Sequence, residues 1–160
     1  MLKNFSLVLV ALATLSGCAS TYKEPASGPV VKLSVPRFDT TWSGAGFSGG
    51  VVKIAVKGQE DCADLEMLRI NKGEATVVNV AANKILLVSV SRFVGNKSCD
   101  LTGSFVTKEG SAYALEFELV GERCLLKAYE EKSPSQKELI DIRRNVELKS
   151  DGLKACLKKD

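Results

Sequence analysis

The chain predicts an all-β fold, an antiparallel sandwich or barrel of about seven or eight short strands with room for a short C-terminal helix. Three observations carry this. Apolar residues recur with a period of two from Val31 onward, turn-forming residues interrupt them at short intervals, and four cysteines are spread through the same region. Period-two alternation is the signature of half-buried strands, and short strands at this spacing argue for a sandwich or barrel.

Residues 1–17 precede that pattern. Lys3 supplies one positive charge, Phe5 to Leu15 form a mostly apolar run, and small residues follow. A bilayer span needs roughly 20 residues, so this run reads as a cleaved export signal rather than a membrane helix. Its removal leaves about 143 residues, enough for one domain with a real core. The formal charge falls from +3 to about +2 without Lys3, and the remaining Lys and Arg are scattered. Such a balance creates no field for gathering nucleic acid, and no nucleic-acid partner is expected.

Residues 18–29 are polar and carry Pro25, Gly28 and Pro29, the composition of a flexible tether. A single domain is expected over 30–160. Its first strand places Val31, Leu33 and Val35 on one face and Lys32 and Ser34 on the other, stops at Pro36, and reads as an edge strand. A glycine-rich stretch follows over 39–50. Gly44, Gly46 and Gly49 fit G-x-G-x-x-G, but the dinucleotide fingerprint needs a helix next, and Val51 to Val56 alternate like a strand. No cofactor is therefore expected. The stretch reads as a loop, with Trp42 and Phe47 as candidate contact residues for a partner.

Further strands are expected over Glu66 to Ile70, Ala75 to Val80, Lys84 to Phe93, Leu101 to Thr107, Ala112 to Leu119 and Arg123 to Tyr129. Turn residues separate them at Asn71-Lys72-Gly73, Ala82-Asn83, Gly95-Asn96, Glu109-Gly110 and Gly121-Glu122. The last two are short enough for tight hairpins. The C-terminal part is ambiguous. Ser133-Pro134-Ser135-Gln136 resembles a helix start, whereas Ile140, Ile142, Val146 and Leu148 fit a strand, which is favoured.

Beyond Cys18, the cysteines are Cys62, Cys99, Cys124 and Cys156, an even number in an exported chain, so two disulfides are expected. Three pairings are open. Cys62–Cys99 with Cys124–Cys156 is favoured because each closes a moderate loop. A four-cysteine zinc site would show C-x-x-C spacing, which is missing, and no metal is expected.

The sequence contains no histidine, which removes Ser-His-Asp and Cys-His catalysis. Glu116 and Glu118 alternate with Leu115, Phe117 and Leu119 and fall on the wet face of a strand. Asp61, Asp64 and Glu66 surround Cys62 without the spacing of a calcium loop. Arg143, Arg144, Lys149, Lys154, Lys158 and Lys159 gather near the end, as a solvated surface or as a patch facing lipopolysaccharide phosphate or glycan. No catalytic residue emerges, and a non-enzymatic binding or structural role is expected.

Leu15-Ser16-Gly17-Cys18 resembles the lipobox of bacterial lipoproteins. The resemblance implies cleavage before Cys18, acylation of its thiol, and a lipid bilayer as the first partner. Two or three acyl chains anchor durably where one exchanges. Ala19 and Ser20 stand where an Asp would favour the inner membrane, which implies the outer membrane of a Gram-negative cell with the domain in the periplasm. The run from Cys18 to Leu33, together with Gly103 to Tyr113 and Cys124-Leu125-Leu126, resembles small proteobacterial lipoproteins without an assigned activity. Gly110-Ser111-Ala112-Tyr113 resembles one inhibitory loop of the membrane-bound inhibitors of C-type lysozyme, although their Trp-x-Lys-Gly motif is missing. The β-sandwich lipoproteins of type VI secretion offer the other comparison, which implies a periplasmic or envelope protein partner held by a loop or an open sheet edge.

Overall fold

Every segment expected to be a strand from its alternation contains one. The computed structural model describes residues 20–38, 41–43, 46–70, 75–120, 123–133 and 135–158. The leader, Cys18 and the proposed lipobox lie outside the described residues, as does Lys159. Among the described residues the fold is all-β, with no helix and thirteen strands. In chain order these are β1 (Val30–Val35), β2 (Thr41–Ser43), β3 (Gly46–Val56), β4 (Cys62–Asp64), β5 (Glu66–Met67), β6 (Thr76–Ala81) and β7 (Ile85–Val94). They continue as β8 (Lys97–Val106), β9 (Ala112–Val120), β10 (Arg123–Ser133), β11 (Gln136–Ile140), β12 (Val146–Leu148) and β13 (Lys154–Leu157). The expected count of seven or eight is too low. The strands it lacks altogether, β2, β4 and β13, span only three or four residues, too few for alternation to register, and the favoured C-terminal strand is divided between β11 and β12. Ser133, read as a helix start, instead ends β10 and stands opposite Gln136, which opens β11.

One five-stranded sheet has the order β11-β10-β9-β1-β6, and a second has β2-β3-β7-β8 with β5 added on β3. β1 therefore sits inside its sheet, not at the edge. It pairs antiparallel with β6 and parallel with β9. Alternation reports which face is buried and carries no information about edges, and Pro36 merely lies beyond the last paired residue. Two turns also differ in role. Val120 faces Arg123, so β9 and β10 are hairpin partners, while Gly121-Glu122, the expected turn, lies outside the described residues. Glu109-Gly110 joins strands of different sheets, so the expected hairpin there is a crossover, with Gly110 at φ 79°. Gly95, at φ 61°, occupies the first central position between Val94 and Lys97, where a type II′ hairpin requires glycine.

The inward faces of both sheets meet in one apolar cluster. Val31, Leu33, Val80, Leu115, Leu126 and Ala128 come from the first sheet, and Val52, Ile54, Leu86, Val88, Val90 and Phe105 from the second. The opposite face of β7 is covered as well. A small three-stranded sheet, β12-β13-β4, lies over it, and Leu87 packs with Ala55, Leu65, Val146 and Ala155. Burial on both faces explains why Ile85 to Val88 read as a continuous apolar run.

The disulfides are Cys62–Cys156 and Cys99–Cys124, with Cα separations of 4.0 and 6.5 Å. This corrects the expected pairing of Cys62–Cys99 and Cys124–Cys156. Cys62 and Cys156 are register partners on β4 and β13, at a position without direct hydrogen bonds, where opposed Cα atoms come closest. Cys99 on β8 and Cys124 on β10 join the two large sheets near one end. Loop length favoured the wrong pairs because it ignores register.

The tether is also corrected over its described part. The amide of Met67 donates to the Ser20 carbonyl at 2.8 Å, and the Tyr22 amide donates to the Met67 carbonyl at 2.9 Å. Thr21 thus pairs parallel with Met67. The Tyr22 hydroxyl donates to the Asn79 carbonyl at 2.9 Å, and its ring packs against the main core. Glu24 accepts the backbone and side-chain N–H groups of Asn79 at 3.0 and 2.8 Å. Residues 20–24 form a strap bridging the sheet edges at β5 and β6.

Candidate functional site

The strand registers gather three connections at one end of the domain. The β7–β8 turn closes at Val94 and Lys97, the β9–β10 turn at Val120 and Arg123, and β2 pairs with β3 through Trp42 and Phe47. Ser48 lies opposite Val94, so the β2–β3 pair stands beside the β7–β8 turn. Trp42 and Phe47 are therefore placed on paired strands and not on the loop read from the sequence. Glycines broke the alternation that would have revealed those strands, and Gly46 and Gly49 lie within β3 itself.

Behind these turns is an open cleft of about 450 Å³. Val94 and Leu119, which are 44% and 55% exposed, line it. Arg92, Lys97 and Ser98 contribute polar groups, and the Cys99–Cys124 disulfide forms part of its wall. The disulfide holds the two sheets together at the mouth, so the cleft has fixed sides. Arg92 is positioned by its guanidinium, 5.2 Å from the centre of the Phe38 ring. Phe38 in turn stands edge-on to Phe117, with centroids 5.7 Å apart. A cation held over an aromatic face keeps its charge while losing freedom. Opposite Arg92 on the neighbouring strand, Cys99 is its register partner. Among the described lining residues there is no carboxylate, and the cationic rim with apolar walls suits a partner that offers an apolar side chain next to a negative group. Of these residues the sequence marked only the cysteines, and only the correct pairing shows that Val94 and Leu119 share a mouth.

The other sequence-marked residues lie elsewhere. Glu118 pairs with Lys127 at 2.8 Å and Glu116 with Lys137 at 3.4 Å, both on the outer face of the first sheet. The Glu118 carboxylate raises the pKa of Lys127. Asp61, Asp64 and Glu66 do not converge. Asp61 faces Lys57 and Asp64 faces Lys154, each at 3.7 Å, while Glu66 accepts the Lys23 amide at 3.3 Å. Arg143, Arg144, Lys149, Lys154 and Lys158 are exposed, and Arg143 is bridged to Ser104 through its backbone. Ser111 is turned inward. Its hydroxyl donates to Glu130 at 2.5 Å, and Lys132 holds the same carboxylate at 2.8 Å. The bonds from Lys132 and Ser111 keep the Glu130 carboxyl below its usual range. A serine committed in this way is a poor probe for an enzyme cleft, which weighs against the inhibitor resemblance.

The strap has its own electrostatics. Burial, with the nearby carboxylates of Glu24 and Glu66, pushes the Tyr22 phenol up to about 12. The bonds from Asn79 lower the Glu24 carboxyl. The raised phenol contributes fully below its unfolded value near 10, and that contribution is lost as pH rises through the folded value. The depressed carboxyl contributes above its unfolded value and loses that contribution as pH falls through the folded one. Ultraviolet titration is expected to show one phenol ionising near pH 12, and Tyr22→Phe is expected to abolish that step.

No known protein family, characterised protein or solved structure matches the chain.

Proposed function

We propose that this chain is a lipid-anchored lipoprotein of the Gram-negative outer membrane, acylated on Cys18, whose domain is a non-enzymatic binding module of the periplasm. Its two large sheets form a β-sandwich, closed at one end by the Cys99–Cys124 disulfide. The module holds an envelope protein at the cleft beside that disulfide. The observation that carries this reading is the exposed, rigidly walled mouth formed by Val94 and Leu119 with Arg92 and Lys97 at its rim. Exposed apolar side chains framed by cations are what an interface uses and a solvated surface avoids. The lack of histidine and the pairing of Glu116, Glu118 and Glu130 with lysines support a role without catalysis.

Val94→Glu combined with Leu119→Glu is expected to lower partner capture from detergent-solubilised envelope by about tenfold or more, the loss that follows from breaking an interface anchor. Trp42→Ala with Phe47→Ala tests the neighbouring strand pair in the same assay. Far-ultraviolet circular dichroism checks folding. Unchanged capture by folded variants of the cleft defeats the proposed site.

A further inference from the structure

We propose that the domain rests against the bilayer in one fixed orientation, with the turns at Asn83 and Glu109-Gly110 on the membrane side and the disulfide cleft pointing away; this rests on the reading of Cys18 as the lipidated residue. The first argument is reach. Ser20 is already hydrogen-bonded to Met67, and two residues span at most about 7 Å. An anchor at Cys18 therefore leaves no tether on which the domain could swing.

Direction follows from the strand pairing. β3 begins at the cleft end, where Ser48 faces Val94, and finishes at the far end, where Val56 faces Leu86. β5 is antiparallel to β3, and Thr21 pairs parallel with β5. Traced backward from Thr21, the chain therefore heads toward the far end. Met67 is level with Lys53, six positions along β3 from Phe47. That separation is about 20 Å in the direction away from the anchor.

The far end has the surface this orientation needs. Val30 and Val106 are 42% and 53% exposed there, and Lys84 and Lys108 are exposed beside them, as is Glu109, whose carboxylate accepts from the Asn83 side chain at 3.4 Å. Val30 and Val106 end their strands next to the turns at Ala82 to Lys84 and Thr107 to Ser111. Lysines with apolar neighbours suit a phosphate-bearing interface, where the ammonium reaches the headgroups and the apolar groups sit below.

The chain's single tryptophan, Trp42, marks the cleft end, so emission reads the orientation directly. The mature, acylated chain is placed in phospholipid vesicles carrying brominated acyl chains, which quench nearby indoles. Trp42 is expected to keep its emission. In a Trp42→Phe background, Glu109→Trp is expected to lose most of its emission, and a long Gly-Ser insertion between Ala19 and Ser20 is expected to restore it. Circular dichroism establishes that each variant is folded, and mass spectrometry establishes the state of Cys18. A chain without acyl groups on Cys18 overturns the anchor and the orientation together. An acylated chain with quenched Trp42, or with an unquenched tryptophan at position 109, overturns the orientation alone.

Discussion

Replacing Cys62 and Cys156 together by serine is expected to destabilise the protein by about 4 to 5 kcal/mol, and replacing Cys99 and Cys124 by somewhat less, about 3.5 kcal/mol. The ordering follows from sequence separation. Cys62 and Cys156 lie 94 residues apart and Cys99 and Cys124 only 25, and on the chain-entropy account the longer loop restricts the unfolded chain more. The first bridge has a further role. It ties β13 to β4, and β13 supplies Ala155 to the layer over Leu87. Denaturant unfolding of the two double variants measures both costs. Peptide mapping without reduction is expected to recover the 62–156 and 99–124 links. A 62–99 link would contradict the register of β4 on β13.

Leu33→Ala is expected to cost about 3 to 4 kcal/mol, within the range for removing a buried leucine side chain. Leu33 has no exposed surface and stands on a strand paired on both sides, opposite Val78 on β6 and Tyr113 on β9. The surrounding cluster cannot collapse into the space without breaking one of those pairings. Leu139→Ala provides the contrast. Leu139 is 63% exposed on the outermost strand, and its truncation is expected to change stability by no more than about 0.5 kcal/mol. Comparable costs for the two would contradict the burial of Leu33 between the paired strands and the core.

What the sequence reveals here is the division of each long strand into two faces. Val31, Leu33 and Val35 are buried and Lys32 is not, and Leu115 and Phe117 face the core while Glu116 and Glu118 meet lysines outside. That division needs only local periodicity. Sheet order, by contrast, is set by residues far apart, and nothing in Val30 to Val35 announces β9 as a neighbour. The disulfides failed for the same reason. Cys62 and Cys156 meet because β4 and β13 align, and both strands are too short to declare themselves. The strap was missed because polar residues and prolines describe a solvated segment. Its one signal was Tyr22, a lone aromatic among polar neighbours, which proves to be packed on the core. The cleft was legible only in its cysteines, since Val94, Lys97 and Leu119 acquire meaning from the turns that bring them together.

The parallel pairing of β1 with β9 sets the order in which this molecule completes itself. Lys32 lies opposite Ala112, so the first strand of the domain waits for a partner some eighty residues downstream before it is flanked on both sides. Closing so long a loop before its contacts repay it is slow, whereas β7 and β8 pair across only two residues and need no such wait.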